Sequence, residues 1–143
     1  MATIDPISEA KIWLYQTLSA DPTCAATFGD SIGDHPLDRD AGFPKLTYTC
    51  LTPQNDLLLV GTDIFWSGLR FFVRAIVEGN NTLAIKPALV ALHDAIHGKY
   101  GYTDDAYIVS CTRIRPYYLH EMSDSLEYTH QGGEYLIRLR PRN

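Results

Sequence analysis

The sequence predicts an α+β fold, in which a mostly antiparallel β-sheet carries two helices packed on one face. Apolar residues recur at helical spacing after Pro6, and a strongly alternating segment occupies residues 69–78. The predicted strands are grouped along the chain and do not alternate regularly with helices, which favours antiparallel pairing. The length of 143 residues fits a single domain that spans residues 1–143.

Composition narrows the classes of function. The chain has 12 lysines and arginines against 17 acidic residues, and the net charge of −5 argues against broad binding to a nucleic-acid backbone. Three cysteines without CxxC spacing indicate reduced thiols and not a disulfide framework. The opening MATIDPISEA lacks the basic and apolar regions of a signal peptide, and no apolar run reaches the length of a membrane span.

The first element is a helix predicted over residues 6–19, which Asp5 can cap and whose first turn suits Pro6. Residues 21–42 are predicted to form a long irregular loop, because glycines and a His-Pro pair interrupt any periodic pattern. The aspartates of this loop do not match the spacing of a calcium-binding loop. We therefore expect an acidic, solvated segment that carries Asp21, Asp30, Asp34, Asp38 and Asp40.

Strands are predicted in the middle of the chain. One follows Pro44 and places Leu46, Tyr48 and Cys50 on one side. A turn is predicted over residues 52–56, and a further strand over residues 57–60. The clearest strand covers residues 69–78, and its predicted core face consists of Leu69, Phe71, Val73, Ala75 and Val77.

The second half of the chain predicts one helix and two more strands. The helix covers residues 83–97, with Gly98 as its C-terminal cap and a buried stripe of Leu89, Leu92 and Ile96. A strand over residues 106–115 is predicted to end at Pro116, and a final strand covers residues 134–140, with Tyr135, Ile137 and Leu139 pointing inward. The polar segment 120–133 between them is predicted to be a hairpin tip or a loop, with a turn or bulge at Gly132 and Gly133.

Two histidines form the pattern that most resembles an active site. His93 and His97 are spaced i, i+4 on the second predicted helix, as in zinc proteases, but Asp94 stands where that signature has Glu. A third ligand cannot be assigned, although His120 and His130 exist. The alternative is a polar stripe near a helix C-terminus, which the helix dipole favours. No nucleophile or nucleotide-binding motif is visible, so we expect a protein that is not an enzyme and has no cofactor.

An arginine cluster offers a different kind of site. Arginines alternate with apolar residues on two predicted strands, a mixture that is enriched in protein–protein interfaces. The alternative is an exposed face with surface charges. The predicted subunit interface consists of Arg70, Phe72, Arg74, Ile76, Arg138 and Arg140.

Taken in order, these elements resemble the tail terminator, or tail completion, proteins of long-tailed bacteriophages of the lambda type. The resemblance covers residues 43–140 and is carried by the strand over residues 69–78, the helix IKPALVALHDAIHG, the strand AYIVSCTRIRP and the ending THQGGEYLIRLR. It implies a structural virion protein without a cofactor. Such proteins form a ring, commonly of six subunits, at the head-proximal end of the tail tube, where they stop tube polymerisation and join the tail to the head connector.

The resemblance also implies partners and a location. These are further copies of the chain, the tail tube protein and a connector or neck protein, in the neck region of a virion assembled in the host cytoplasm. DNA would pass through the lumen without specific binding. We expect the partner-contact segment to contain His120, Glu121, Met122, Asp124, Leu126, Tyr128 and His130, and the acidic lumen or rim to contain Asp30, Asp34, Asp38 and Asp40. A neck or stopper protein, or a metal-dependent enzyme using His93 and His97, remains an alternative.

Overall fold

The computed structural model describes residues 4–37, 41–51, 57–58 and 65–142. Three α-helices and a single 3₁₀ turn accompany seven strands within these residues. In chain order the elements are α1 (Pro6–Ala20), α2 (Pro22–Phe28), β1 (Ile32–Asp34), β2 (Lys45–Cys50), β3 (Leu57–Leu58), β4 (Phe65–Glu78), the 3₁₀ turn (Leu83–Ile85), α3 (Lys86–Ile96), β5 (Lys99–Tyr102), β6 (Ala106–Ser123) and β7 (Leu126–Pro141).

One sheet organises the fold, with the strand order β1-β2-β4-β7-β6-β5 and with β3 paired to β4. The β1–β2 pair is parallel, and the other strand pairs are antiparallel. The helices contribute to the same buried core as one face of this sheet. The predicted α+β class is confirmed, although a third helix joins the two that were expected. No helix within the described residues combines the length and apolar composition that crossing a membrane requires.

The first predicted helix is confirmed as α1. The Ile7 amide donates a hydrogen bond to Asp5 Oδ1 at 3.2 Å, which satisfies one of the unpaired amides of the first turn. Pro6 stands in that turn, where a missing amide hydrogen costs nothing. The helix buries a stripe against the sheet that consists of Ala10, Trp13, Leu14 and Leu18.

The predicted loop over residues 21–42 is wrong in its first part. Asp21 accepts a hydrogen bond from the Cys24 amide at 2.9 Å and so caps α2, and the chain then adds β1 to the edge of the sheet. Both elements are too short for a periodic pattern, and packing of Cys24, Phe28 and Ile32 into the core stabilises them. Asp30 is exposed, Asp34 binds Lys11 at 2.6 Å, and Asp38 and Asp40 lie outside the described residues.

The centre of the sheet is the β4–β7 pair. The predicted core face of β4 is buried as expected, and it lies opposite Tyr135 and Ile137 of β7. A Cβ atom on Gly132 would come within 2.1 Å of the Val73 carbonyl oxygen, so only glycine permits this close approach of the two strands. Gly132 and Gly133 therefore lie inside a strand, and the predicted turn or bulge at these glycines is wrong.

A long hairpin replaces the predicted strand end at Pro116 and the polar segment that follows it. β6 continues to Ser123 and returns as β7 through Asp124 and Ser125, whose φ angles of 50° and 69° are those of a two-residue hairpin turn. The hairpin alternative for residues 120–133 is thus correct, and the loop alternative is wrong. Because β5 pairs with β6 only as far as Cys111, Pro116 stands on an open edge and removes no ladder hydrogen bond there.

Candidate interaction surface

The sheet has a second face, here called the open face, that points away from the helices. Side chains alternate along each strand, so the neighbours of the core residues of β4 all project to the open face. Arg70 lies opposite Leu136, and Phe72 lies opposite Glu134. All six residues of the predicted subunit interface share this face: Arg70, Phe72, Arg74, Ile76, Arg138 and Arg140.

A buried carboxylate organises the centre of the open face. Arg70 donates a hydrogen bond to one oxygen of Glu134 and Arg115 donates to the other, while the Glu134 side chain is 0% exposed. Burial by itself raises the pKa of Glu134, but the hydrogen bonds from Arg115 and Arg70 outweigh it and lower the pKa below its ordinary value of 4.5. The group is therefore an ionised link between three neighbouring strands.

A second network surrounds Arg74, which is only 5% exposed. Its Nε donates to His130 Nδ1 at 3.0 Å, and its Nη1 donates to Thr49 Oγ1 at 3.2 Å. The guanidinium also lies 5.5 Å from the ring centroid of Tyr117, which itself packs on Phe72. Burial lowers the pKa of Arg74, and Tyr117 and Glu121 oppose that shift. This arginine is satisfied within its own chain.

The hydrogen bond from Arg74 also indicates which ring nitrogen of His130 accepts. Arginine can only donate, so Nδ1 of His130 must accept and carries no hydrogen. Its Nε2 then donates to Glu121 Oε1 at 2.7 Å, which ties β7 to β6. The His35 ring lies 6.4 Å from that of His130, and burial followed by the charge of Arg74 lowers the pKa of His35. This environment thus favours the neutral form of His35.

These contacts within the chain reduce the part of the predicted subunit interface that another copy can contact. Arg70 and Arg74 have partners in their own chain, and Ile76 is buried. Arg138 is exposed, and Arg140 lies half-buried over the Tyr107 ring at 4.7 Å. The sequence placed these side chains on one face correctly, and their role between subunits stays a prediction. The sequence could not reveal Glu134 as a partner of Arg70, because the two residues are 64 positions apart.

The predicted partner-contact segment forms the end of the β6–β7 hairpin. Met122 is 67% exposed and Leu126 is 57% exposed, whereas Tyr128 packs against Phe43 with ring centroids 5.5 Å apart. His120 Nδ1 bonds Thr129 Oγ1 at 2.9 Å. The structure therefore brings the predicted residues together, with Asp124 in the turn, but it buries His130.

The histidine pair of α3 has protein partners. The rings of His93 and His97 stack with centroids 4.5 Å apart, His93 Nδ1 lies 2.9 Å from the Tyr135 hydroxyl, and His97 Nδ1 accepts the Arg113 amide at 3.0 Å. Burial, then His97 and Arg113, lowers the pKa of His93. Across residues 4–37, 41–51, 57–58 and 65–142, no three His, Cys, Asp or Glu side chains are grouped so that they could hold a metal ion.

Sequence reasoning missed a cavity of about 280 Å³ between α3 and the β6–β7 hairpin, here called the α3 cavity. Apolar side chains of α3 form one wall, and residues of β6 and β7, Gly132 among them, form the other. No local pattern signals it, because it forms only when α3 packs across β7. Its lining residues are Lys86, Leu89, Val90, Leu92, His93, Arg113, Gln131, Gly132 and Tyr135.

Comparison with known proteins adds information on the fold. No protein-family model matches the chain, and no curated protein sequence matches it. A solved structure described as the virion of a native gene transfer agent particle contains a chain of the same fold. The TM-score is 0.66 with 17% sequence identity, and the match covers 99% of this chain and 100% of that one.

Proposed function

We propose that this chain is a structural virion protein that forms a ring, expected to be a hexamer, at the head-proximal end of a tail tube. There it stops polymerisation of the tube and joins the tail to the head connector. The observation that carries the proposal is the match in fold over the full length of a chain from the virion of a gene transfer agent particle. The elements that resemble tail terminators in sequence, β4, α3, β6 and β7, all belong to the matched region.

The proposal assigns roles to the surfaces described above. The exposed part of the open face, with Arg138 and Arg140, contacts neighbouring copies, and the end of the hairpin contacts the tube or a neighbour. Asp30 is exposed at the end of α2, where it fits an acidic lumen or rim that repels DNA phosphates. Asp34 fits that role less well, because Lys11 neutralises it at 2.6 Å. We propose no catalytic residue and no cofactor, and we place the protein in the neck region of the particle.

The proposal is tested by shortening the β6–β7 hairpin in the particles that are assembled with this chain. Glu121 and Tyr128 are directly opposed, so replacing residues 122–127 by Asn-Gly retains the register of the remaining hairpin. The matched control replaces only Asp124 and Ser125 by Asn-Gly at full hairpin length. Both variants should show the circular dichroism of the folded chain.

The morphology of the particles decides between the candidate functions. A terminator predicts tails of uncontrolled length from the shortened variant and normal tails from the control. Normal tails that fail to join heads would indicate a neck protein instead. Normal tails joined to heads in both variants would contradict the proposed role of this segment.

A further inference from the structure

The α3 cavity has the chemistry of a receptor for an acidic, apolar segment. Leu89, Val90 and Leu92 give it an apolar wall, while Lys86 and Arg113 supply positive charge at its rim. Among the described residues, no ion pair involves either of these two cations. Val90 is 51% exposed, so its side chain is accessible to a partner at the cavity.

Further features of the cavity restrict what can fill it. Arg113 Nε is buried without a hydrogen-bond partner in the described part of the chain, so the guanidinium is incompletely satisfied. Asp94 lies near His93, and its charge acts to raise the pKa of that histidine. The Asp94 side chain does not line the cavity. The volume of about 280 Å³ lies just below the roughly 300–1,000 Å³ that small-molecule pockets occupy, which favours a few protein side chains as the occupant.

The same chain carries a segment of complementary chemistry. The hairpin tip, defined here as residues 121–127, exposes Met122 and Leu126, at 67% and 57%, on opposite faces of the β6–β7 ladder, so either can serve as an apolar anchor. Two carboxylates flank these side chains, Asp124 and Glu127, whereas Glu121 already accepts a hydrogen bond from His130 Nε2. The two-residue turn keeps the tip paired in the β6–β7 ladder up to Ser123 and Leu126, so docking requires little further ordering of its backbone.

The tip of one chain cannot enter the cavity of the same chain. Leu126 belongs to the tip and Gln131 lines the cavity, and both lie on the continuous strand β7. Five residues of extended strand separate them by about 17 Å, and the rigid ladder with β6 prevents the tip from folding back. Any tip that fills the cavity must therefore come from another copy.

We propose that the α3 cavity binds the hairpin tip of a second copy of this chain, with Leu126 against the apolar wall and the carboxylates of Asp124 and Glu127 near Lys86 and Arg113. The two surfaces differ, so each copy offers one tip and one cavity, and repetition of this contact closes a ring when the rotation permits. This inference rests on the proposed ring and adds a second contact between neighbouring copies to that of the open face.

Cross-linking between two single-site variants tests this contact. One variant carries Val90→Cys and the other Leu126→Cys, and they are mixed and treated with a short bismaleimide. In the matched control, the first variant carries Tyr15→Cys on α1 in place of Val90→Cys. The two positions are almost equally exposed, at 50% for Tyr15 and 51% for Val90. All variants also carry Cys50→Ser, since Cys24 and Cys111 are buried and Cys50 is not. Mass spectrometry identifies the mixed product.

The inference predicts at least about tenfold more mixed product from the Val90→Cys pair than from the Tyr15→Cys pair. Adding Lys86→Glu to the first partner should weaken association by about tenfold, and adding Glu127→Lys to the second should restore it. Equal cross-linking of both pairs while light scattering reports a ring would overturn this contact and leave the ring intact. A monomer without selective cross-linking at any concentration would overturn both the contact and the ring.

Discussion

Removal of the Glu134 carboxylate is the sharpest test of the open-face network. Glu134 is 0% exposed and binds Arg70 and Arg115, so Glu134→Ala leaves two cations without their shared partner. Breaking a buried ion pair costs about 3–5 kcal/mol when the remaining charge stays buried. Here Arg70 is 29% exposed and Arg115 is 63% exposed, so water can partly replace the carboxylate. We therefore expect a loss of about 2–3 kcal/mol in the free energy of unfolding.

The measurement is unfolding in urea at neutral pH, followed by circular dichroism. For a domain of this size the expected loss also lowers the melting temperature by about 4–12 °C. The comparison variant replaces the whole network by apolar residues: Arg70→Met, Glu134→Leu and Arg115→Met. Because no unpaired charge remains, this triple variant should lie within about 1 kcal/mol of the natural chain.

Two results would refute this reasoning. A loss below about 0.5 kcal/mol for Glu134→Ala would show that the network contributes nothing measurable beyond a surface ion pair. A triple variant as unstable as Glu134→Ala would show that the damage comes from packing and not from unpaired charge.

The lowered pKa of Glu134 adds a check with a definite sign. A carboxyl whose pKa is lowered in the folded state stabilises the fold at any pH above its pKa in the unfolded chain. That contribution should disappear as the pH falls below the ordinary value of 4.5, and Glu134→Ala should lose this acid dependence.

Three further predictions concern the backbone and the histidines. Gly132→Ala should cost about 3 kcal/mol or more in urea unfolding, because its Cβ would meet the β4 backbone at 2.1 Å, and a change below 1 kcal/mol would contradict the close approach. Ser125→Gly should raise stability by about 0.4–1 kcal/mol in the same assay, because glycine adopts the φ of 69° without strain, and a loss would contradict the turn. The lowered pKa of His93 means that the unfolded chain takes up its proton first, so stability falls as the pH drops through about 6.5. His93→Gln should reduce this loss between about pH 7.5 and pH 5.5, and an unchanged loss would show that His93 does not cause it.

Long periodic elements were predictable from the sequence alone. The helix α1 and the strands β4 and β7 each repeat their apolar pattern several times, so their existence and their buried faces were predicted correctly. The seven-residue α2 and the three-residue β1 were missed, because neither repeats a pattern and both depend on packing. Pro116 was interpreted as a strand end, which is valid for a central strand and fails on an open edge.

The candidate site was only partly predictable for a related reason. Alternation along β4 and β7 placed Arg70, Arg74 and Arg138 on one face, as the structure shows. The partners of the first two arginines depend on strand register, which joins Phe72 to Glu134 across the sheet and cannot be read from either strand alone. The α3 cavity is lined by residues of α3, β6 and β7, so no single segment of the sequence carries its signal.

The proposed function is tested most directly by adding the purified chain to the tail tube protein of the same particle while that protein polymerises. Electron microscopy then measures tube length and detects protein at the tube ends. The account predicts rings at one end of each tube, no further growth from that end, and no effect from the variant with residues 122–127 replaced by Asn-Gly. Tubes that grow at an unchanged rate, with no ring of this chain at either end, would contradict it.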